Sequence, residues 1–556
     1  MDSILEVLET EVFNENVKTK LSEILNFSDE DSDGYKSLEY LIAQLVFKNE
    51  KYLIDKLLFT IHLAKKNVKN NVNKTAALII FLEKMMVKIQ NFNSELNEIL
   101  FKELSLAKEI LKKIVQSIPV KALQGDMTLF RNLKGLDLLK RVKPYHEWRR
   151  AINDAGLWLF DKTSTTAPKN SCEAIDYAGN KLKGINFASQ DYLGLSSHPK
   201  IVELGKKTIE EYGVHSAGSA VLFGNTKFST QLEQTISKFL GYNYTVLYPT
   251  GWGAGFGVVT GLIRPSDHVV MDRLSHACLQ TGAKAATNKR HYFSHLDNQE
   301  VEKILKKIRT EDKKNAILVV TESLFSMDSD SPNLEVLQKI CKSHSAFLLV
   351  DMAHDLGCIG EKGLGNPEIQ EMIEKIDIVM GSFSKTFASN GGFVCTDSKA
   401  VLEYLSFFSN PRTFSNALSP AQAACVNEAF LIVQSPEGKK LRKDLLERSL
   451  YLREKLSNYG LKCIGSPSAI IPVVIGDEGL TRILTRLLAD HGIITNIVEY
   501  PGVAKGAARL RIQIMAGHTY DELDFLAKKT KSCLAQAKLI LSTIKSDINL
   551  LSEDTI

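Results

Sequence analysis

The 556-residue sequence has no run of 18 uninterrupted apolar residues, so we expect no membrane-spanning helix. Its eight cysteines are scattered without metal-type pairing, which indicates reduced, cytoplasmic usage and no metal site rather than a disulfide framework. It has no long basic stripe and a net charge of only +4, so nucleic acid is not an expected main partner. The first residues are acidic and lack the basic n-region of a secretory signal. Together these absences predict a cytoplasmic globular protein.

Proline and glycine are scarce in residues 1–140, where Pro119 is the single proline. Apolar residues recur every three or four positions through 96–118, so one face of a long helix is apolar. Further helical patterns lie near 36–48, 50–66 and 75–90. We therefore expect 1–140 to form an all-helical domain of five or six helices that docks onto a protein partner or a membrane surface, or that mediates oligomerisation. A carrier domain is the alternative, although its nearest candidate for a phosphopantetheine serine, Ser37, lacks the usual preceding aspartate.

From about residue 150 glycines become frequent, and short apolar runs alternate with helical patterns. The runs 316–322 and 346–351 are apolar on both faces, as buried parallel strands are, and a helical pattern lies between them. This βαβ unit predicts an α/β fold in which ligands bind beyond the carboxyl ends of the strands. Glu322 and Asp351 both lie at such ends.

The most informative residue is Lys385, which lies among small and hydroxyl residues and has no charged neighbour in the flanking sequence 378–392. Desolvation lowers the pKa of a lysine because the charged form loses water. A neutral amine can attack an aldehyde, as lysines do when they bind pyridoxal 5'-phosphate (PLP) covalently. The alternative is a structural lysine at a strand end beside a glycine-rich turn.

Polar residues near other predicted strand ends fit the same cofactor. Asp351 would pair with a protonated pyridine nitrogen, which keeps the ring an electron sink. His354 could donate to the phenolic oxygen of the ring, and His276 could stack on the ring or move protons. The alternatives are that Asp351 caps a following helix and that His276 is a structural hydrogen-bonding residue.

Two further runs suit anionic groups. The run Thr-Gly-Trp-Gly-Ala-Gly at 250–255 follows a predicted strand, and a helix start made of small residues offers free N–H groups to a phosphate. Ser382 is a second possible phosphate donor. Arg509 and Arg511 point to the same face of a predicted strand, and an arginine can grip a carboxylate through two parallel hydrogen bonds. The alternative is a pair of solvated surface arginines.

Taken together, these runs resemble the α-oxoamine synthases, a branch of the fold-type I PLP-dependent enzymes whose members make aminolevulinate, aminooxononanoate, 2-amino-3-ketobutyrate and ketosphinganine. The resemblance covers about residues 150–535. The matching runs, in chain order, are 186–196, 212–233, 250–252, 272–277, 321–328, 351–354, 382–385, 413–416 and 509–519. Because these runs arrive in the family's order, the match is far more specific than any one of them.

The resemblance implies a fold-type I transferase of α/β class. It has a large, mostly parallel sheet domain and a small C-terminal α+β domain, and its active sites lie at a homodimer interface. The expected divisions after the helical residues 1–140 are a synthase arm at 141–195, a PLP-binding large domain at 196–415, a small domain at 416–540 and a polar tail at 541–556.

The resemblance also implies residue roles. The residues expected to bind PLP are Gly251, Trp252, His276, Ser326, Asp351, His354, Ser382, Lys385, Ser415 and Asn416. Lys385 would hold the cofactor covalently and later remove the α-proton of the substrate. Ser415 and Asn416 would reach the cofactor phosphate of the partner subunit.

The implied reaction joins a small amino acid to an acyl-CoA or acyl-carrier thioester, with loss of CO2 and CoA. Arg511 would bind the substrate carboxylate, and Glu322 would line the site near the acyl group. Gln190 is also an expected substrate-binding residue, since the family commonly has asparagine at this position, where it helps Arg511 with the carboxylate. The family has histidine where this chain has Ser229. Both departures leave the identity of the amino acid and of the acyl chain open.

Two alternatives remain from the sequence. A plain aminotransferase would use the same fold, lysine and aspartate, but it would lack the Arg-Leu-Arg run at 509–511 followed by Ala-Gly-His-Thr at 516–519. A non-catalytic partner subunit of a heteromeric synthase would be expected to lose the lysine, whereas Lys385 is present.

Overall fold

The computed structural model describes residues 72–89, 94–115 and 118–553. The helical patterns predicted near 36–48 and 50–66 lie outside these residues, as does Ser37. Within the described ranges, no helix combines the length and the hydropathy that a membrane crossing requires.

The described helices and strands follow in chain order. The strands are β1 (Thr163–Ser164), β2 (Ser171–Ile175), β3 (Lys181–Asn186), β4 (Tyr244–Tyr248), β5 (His268–Asp272), β6 (Arg290–Phe293), β7 (Ile317–Glu322), β8 (Phe347–Asp351), β9 (Ile378–Ser382), β10 (Gly392–Thr396), β11 (Ile470–Gly476), β12 (Ile493–Ile494), β13 (Asn496–Val498) and β14 (Ala508–Gln513). The helices are α1 (Val72–Ile89), α2 (Ser94–Val115), α3 (Val120–Leu123), α4 (Lys143–Asp154), α5 (Pro199–Tyr212), α6 (Lys227–Leu240), α7 (Gly251–Leu262), α8 (Ala277–Ala286), α9 (Asn298–Glu311), α10 (Leu334–Ser343), α11 (Asn366–Ile369), α12 (Lys399–Phe408), α13 (Asn410–Thr413), α14 (Pro420–Gln434), α15 (Pro436–Asn458), α16 (Glu478–Asp490) and α17 (Tyr520–Glu553).

A seven-stranded sheet in the order β4-β10-β9-β8-β7-β5-β6 forms the centre of the large domain. β10 is antiparallel to both of its neighbours, and the other strand pairs are parallel. The βαβ unit predicted at 316–351 is present as β7, α10 and β8. Because parallel strands point the same way, β5, β7, β8 and β9 all end at one edge of the sheet, where ligands bind in such folds.

Alternate residues of the strands enter two apolar clusters, one on each face of this sheet. Leu318 and Val320 of β7 pack in the cluster that includes α7, α8 and α12. Ile317 and Val319 point the other way, into the cluster that includes α9, α10 and α14. This double burial explains why the strands read as continuous apolar runs rather than alternating ones.

The small domain is built on a three-stranded antiparallel sheet in the order β11-β14-β13. A second sheet joins it to the arm, since β12 pairs in parallel with β3. At this junction a Cβ on Gly184 would lie 1.8 Å from the carbonyl oxygen of Gly492, so only glycine permits the close approach. The arm and the small domain are thereby held side by side.

α14 packs against α5 and α6 of the large domain, although the predicted boundary at 416 assigned it to the small domain. Its residues Ala423, Val426 and Phe430 are all buried. A helix that is apolar on nearly every side gives no directional signal in the sequence, so its neighbours could not be assigned from its pattern.

α1 and α2 pack against each other and against α17. α17 continues through Glu553, so most of the segment predicted as a polar tail at 541–556 is helical. The reason is that Ile540 and Ile544 are spaced for one helix face and are buried in the same apolar cluster as Leu78 and Leu111.

The segment after α2 is fixed to the small domain by Arg482 of α16. Its guanidinium donates to the carbonyl oxygens of Ala122 at 3.1 Å and Gly125 at 3.0 Å. It also pairs with Glu499 at 2.9 Å, and both side chains are almost fully buried. The guanidinium carbon lies 5.5 Å from the centre of the Trp148 ring. This clamp joins residues 120–148 to the small domain.

Candidate active site

Lys385 lies in the turn that follows β9, at the edge where the parallel strands end. Burial lowers the pKa of Lys385 below its ordinary value, and the nearby carboxylates of Asp351 and Glu322 oppose that shift. A lysine in this environment loses its proton more readily than one in water. The prediction from the flanking residues, that this amine is desolvated, agrees with its place in the fold.

Glu322 and Asp351 are register partners at the ends of β7 and β8, and both are buried. Burial raises the pKa of both carboxyls, and the charge of Asp351 raises that of Glu322 further. Asp351 Oδ1 accepts a hydrogen bond from the Ala353 N–H at 2.9 Å, at the start of a turn. No helix begins there in the described chain, so Asp351 is not a helix cap and is available to pair with a cation.

Two histidines flank these carboxylates, and burial lowers the pKa of each. His276 caps α8, and its Nδ1 accepts from the Cys278 N–H at 3.3 Å, so the proton of the neutral ring lies on Nε2. His354 Nδ1 lies 2.9 Å from the Tyr192 hydroxyl. The alternative structural role of His276, as a hydrogen-bonding helix cap, is therefore present.

Gly251 begins α7 and meets the end of β9 closely. A Cβ on Gly251 would lie 2.3 Å from Ser382 Oγ, so glycine is required at this contact. Ser382 Oγ lies 2.7 Å from Ser384 Oγ, and Trp252 is the next residue of the helix. Free helix N–H groups and hydroxyls are thus brought together in a space that suits a phosphate.

Arg509 and Arg511 of β14 are both buried, which excludes solvated surface arginines. Arg509 Nη1 donates to Asp328 at 2.8 Å and is structurally engaged. Arg511 Nε donates to the carbonyl oxygen of Ser326 at 2.8 Å, while its Nη2 has no hydrogen-bond partner in the described part of the chain. A buried guanidinium with a free N–H group is a candidate carboxylate site.

The two positions that depart from the family pattern differ in character. Gln190 lies on the half-buried loop after β3, where its main-chain carbonyl oxygen accepts a hydrogen bond from the main-chain N–H of Tyr192 at 2.9 Å. Ser229 is buried in the first turn of α6, where it and Thr226 form a reciprocal capping box. Ser229 therefore serves the helix start, as small hydroxyl residues do.

Ser415 and Asn416 lie beside the loop at 213–224. Asn416 forms an isolated β-bridge with Ser219, and its Nδ2 lies 3.4 Å from His215 Nε2. Within the described residues, neither shares a hydrogen bond with the groups around Lys385. The described contacts of Asn416 are thus with the loop at 213–224.

His295 bridges two elements of the site, and sequence reasoning missed it. Its Nδ1 lies 3.1 Å from the carboxylate of Asp272 at the end of β5, and its Nε2 lies 3.1 Å from Asp330. Burial opposes protonation, but hydrogen bonds to the two carboxylates raise the pKa of His295 to about 10. This bridge fixes the loop after β7 that carries Ser326, and a histidine just past β6 was its only signal.

The fold and the site together define a PLP-dependent transferase of fold type I. The model of the family described as "Aminotransferase class I and II" matches residues 183–529. The chain therefore belongs to this family, which confirms the predicted fold class and cofactor.

Named relatives refine the assignment. An 8-amino-7-oxononanoate synthase from Coprothermobacter proteolyticus is 31% identical over 389 residues, which cover 69% of this chain and 96% of that protein. Serine palmitoyltransferase from Sphingobacterium spiritivorum is 32% identical over 354 residues, 64% of this chain and 87% of that protein. The 4-hydroxy-2,2'-bipyrrole-5-methanol synthase PigH of a Serratia strain is 32% identical over 420 residues, 75% of this chain, but the match spans only 63% of PigH.

A solved structure of a related enzyme has a similar fold. Serine palmitoyltransferase from S. paucimobilis, with PLP and myriocin bound, superposes with a TM-score of 0.68 at 25% identity, covering 72% of this chain and all of that one. These relatives are α-oxoamine synthases, and the predicted resemblance to that group is confirmed. The chain is a PLP-dependent acyltransferase of this group.

Proposed function

We propose that the protein condenses a small amino acid with an acyl thioester, releasing CO2 and the thiol, to give an α-amino ketone. One observation carries the proposal. The desolvated Lys385 and the buried Asp351 end the large sheet, and Arg511 of the small-domain sheet keeps a free N–H group. An amino acid substrate needs a reactive amine beside the cofactor, which Lys385 would supply, and an anchor for its carboxylate, which Arg511 would supply.

The residues fit PLP. When bound, the cofactor supplies an electron sink for the α-carbon of the amino acid. Gly251 and Ser382 would hold its phosphate, since the start of α7 offers N–H groups beside the Ser382 hydroxyl. Asp351 would hold the pyridine proton, because a buried carboxylate is stabilised by a cationic partner. His276 would cover the face of the ring.

His354 would donate to the ring oxygen, and its tautomer follows from its neighbour. Burial raises the pKa of Tyr192, so its hydroxyl keeps its proton and donates to His354 Nδ1. The single proton of the neutral imidazole then lies on Nε2, which becomes the donor.

Proton movement would fall to Lys385 and Glu322. The lowered pKa of Lys385 leaves a share of neutral amine that can remove the α-proton. Glu322 is kept protonated by burial and by the charge of Asp351, so it can donate a hydrogen bond to the carbonyl oxygen of the acyl group. Arg511 would hold the carboxylate that leaves as CO2.

We also propose a cytoplasmic homodimer. Asn416 contacts the loop at 213–224, and we expect it and Ser415 to contribute to the site of a partner subunit. The exposed apolar side chains Leu222, Phe223 and Phe414 lie on the same two segments. All eight cysteines are free, which suits a reducing compartment. A protein or membrane partner for the N-terminal helices remains a prediction.

The test is the visible absorption spectrum of the purified protein during titration with glycine, alanine and serine, with and without a panel of acyl-CoA thioesters. We expect a cofactor band that Lys385→Ala abolishes, and turnover only when one amino acid and one thioester are both present. Conversion of the cofactor to its amine form by an amino acid alone would favour an aminotransferase. Absence of any cofactor absorption band after PLP addition would refute the proposed PLP-dependent activity.

A further inference from the structure

The chain from residue 129 to residue 143 forms a surface segment that is held in place at both ends. It runs from the 3₁₀ helix Met127–Phe130 to the start of α4. The Phe130 ring at one end packs against the rings of Tyr145 and Trp148 in α4, with centroids 5.7 Å and 5.1 Å apart. The two ends of the segment are therefore fixed to one aromatic cluster, and the residues between them project from it.

Five large apolar side chains of this segment are exposed to solvent. Leu136 and Leu139 are 108% and 82% exposed, and Leu129, Leu138 and Val142 are between 52% and 62% exposed. Single apolar side chains are common on protein surfaces, but a group of them concentrated in one short segment marks a surface that binds something. A leucine as exposed as Leu136 suits insertion into a partner rather than the lining of a groove.

The turn that carries three of these leucines is held by Asp137. Its Oδ1 accepts hydrogen bonds from the main-chain N–H groups of Leu139 and Lys140, both at 3.0 Å. Its Oδ2 lies 3.3 Å from Lys140 Nζ. The single acidic residue of the segment is therefore engaged within the turn, and the leucines on either side of it are presented by a defined backbone.

Positive charge is concentrated in the same segment. It has five exposed basic residues, Arg131, Lys134, Lys140, Arg141 and Lys143. Two of these side chains form ion pairs with exposed acids, at 3.3 Å to Asp137 and at 3.7 Å to Glu147, and exposed pairs of this kind are weak. Five basic residues against one acidic residue give residues 129–143 a net charge of +4, as large as that of the entire chain.

We propose that residues 129–143 bind the surface of an anionic lipid bilayer. Leu136, Leu138 and Leu139 insert at the boundary between the headgroups and the acyl chains, while the basic side chains contact the lipid phosphates. A bilayer accepts projecting aliphatic side chains without a matching pocket, and the cytoplasmic leaflet supplies the negative charge. The segment is too short to cross a membrane, so the contact is peripheral. The inference does not depend on the proposed activity, because no residue of the segment belongs to the candidate active site.

Flotation of the full-length protein, supplied with PLP, tests the inference directly. One set of vesicles is phosphatidylcholine alone, and the other contains about 30% phosphatidylglycerol. We expect the partition coefficient to be higher on the anionic vesicles by about 10-fold or more, because several basic side chains act together. Raising the salt concentration to about 0.5 M should remove most of that preference, since it screens the headgroup charge.

Two triple variants separate the apolar and the electrostatic contributions. The first is Leu136→Ser/Leu138→Ser/Leu139→Ser, and the second is Lys134→Gln/Lys140→Gln/Arg141→Gln. Each should lower the partition coefficient on anionic vesicles by about 10-fold or more. Because all six side chains are exposed, the cofactor absorption band and the thermal unfolding midpoint should remain those of the wild type.

Matched controls remove the same kinds of side chain elsewhere. Leu446→Ser/Leu450→Ser replaces two leucines of α15 that are each 49% exposed. A second control removes three positive charges from the exposed positions of α9, as Lys303→Gln/Lys306→Gln/Lys307→Gln. Neither control should change the partition coefficient appreciably, because the binding surface is left intact.

Three results would overturn the inference. The first is a wild-type protein that does not bind vesicles, or that binds neutral and anionic vesicles equally. The second is vesicle binding that both triple variants retain, which would place the membrane contact on other residues. The third is a leucine variant that sediments as a smaller species than the wild type in the absence of lipid, while the wild type ignores vesicles. That result would assign the segment to contact with a second copy of this chain.

Discussion

Replacing His295 with asparagine should loosen the loop that supports the carboxylate anchor. His295 bridges Asp272 and Asp330, with its two ring nitrogens each 3.1 Å from a carboxylate. The loop between β7 and α10 carries Asp330 and also Ser326, whose carbonyl oxygen accepts the Nε hydrogen bond of Arg511. Without the imidazolium, two carboxylates remain with no cation between them, and one of them is fully buried.

The size of the effect follows from the pKa of His295, which rises from 6.5 to about 10. Each pKa unit corresponds to about 1.4 kcal/mol, so the whole shift would be worth roughly 5 kcal/mol. Because 21% of the side chain is exposed and water screens its ion pairs, we expect His295 to contribute about 2–3 kcal/mol to the free energy of unfolding. The folded-state pKa is raised, so this stabilisation is complete below about pH 6.5 and is lost as the pH rises towards 10.

Urea unfolding of the PLP-bound protein at pH 6 and pH 9 measures this contribution. At pH 6, His295→Asn should lower the free energy of unfolding by about 2–3 kcal/mol, and the difference from wild type should fall to less than half at pH 9. His146→Asn, at an exposed position of α4, is the control. The KM for the amino acid should also rise more than kcat falls. An equal loss at both pH values would refute the reasoning.

Three further predictions concern the phosphate site at Gly251, the carboxylate anchor Arg511 and the clamp made by Arg482. Gly251→Val should raise the Kd for PLP at least 10-fold in a fluorescence titration, because even a Cβ would lie 2.3 Å from Ser382 Oγ, whereas Gly517→Ala, with open space around it, should not. Arg511→Lys should raise the KM for the amino acid by about 100-fold, since an ammonium cannot make two parallel hydrogen bonds; an unchanged KM would remove this arginine from the site. Arg482→Met should lower the free energy of unfolding by about 3–5 kcal/mol, because the buried carboxylate of Glu499 is left unpaired. Limited proteolysis should then cut residues 118–143 faster than in the wild type, and unchanged cleavage would contradict the clamp.

The residues at the ends of the central strands were predictable because their signal is local. A continuous apolar run followed by Glu322 or Asp351 marks the carboxyl end of a buried parallel strand. Lys385 stood out for a similar reason, since its neighbours carry no charge. In each case the chemistry lies within a few residues of the element that positions it.

Contacts between distant segments were not predictable in the same way. Strand alternation places Arg509 and Arg511 on one face but cannot distinguish their roles, because the partner of Arg509 is Asp328, 181 residues away. His295 had no pattern at all, since its importance depends on the carboxylates of Asp272 and Asp330 that other segments bring to it. The structural role of Ser229 appeared only with the reciprocal hydrogen bonds at the start of α6.

The packing of α1 and α2 against α17 has a consequence for the order of events during synthesis. Val115 ends α2 and Tyr520 begins α17, so 405 positions separate a pair of helices from the helix that covers them. At roughly 5–20 residues per second, the ribosome needs about 20–80 s to cross that distance. Throughout this interval the nascent chain displays an apolar surface whose partner has not yet been made, so a truncated message would yield a product that chaperones hold or proteases remove.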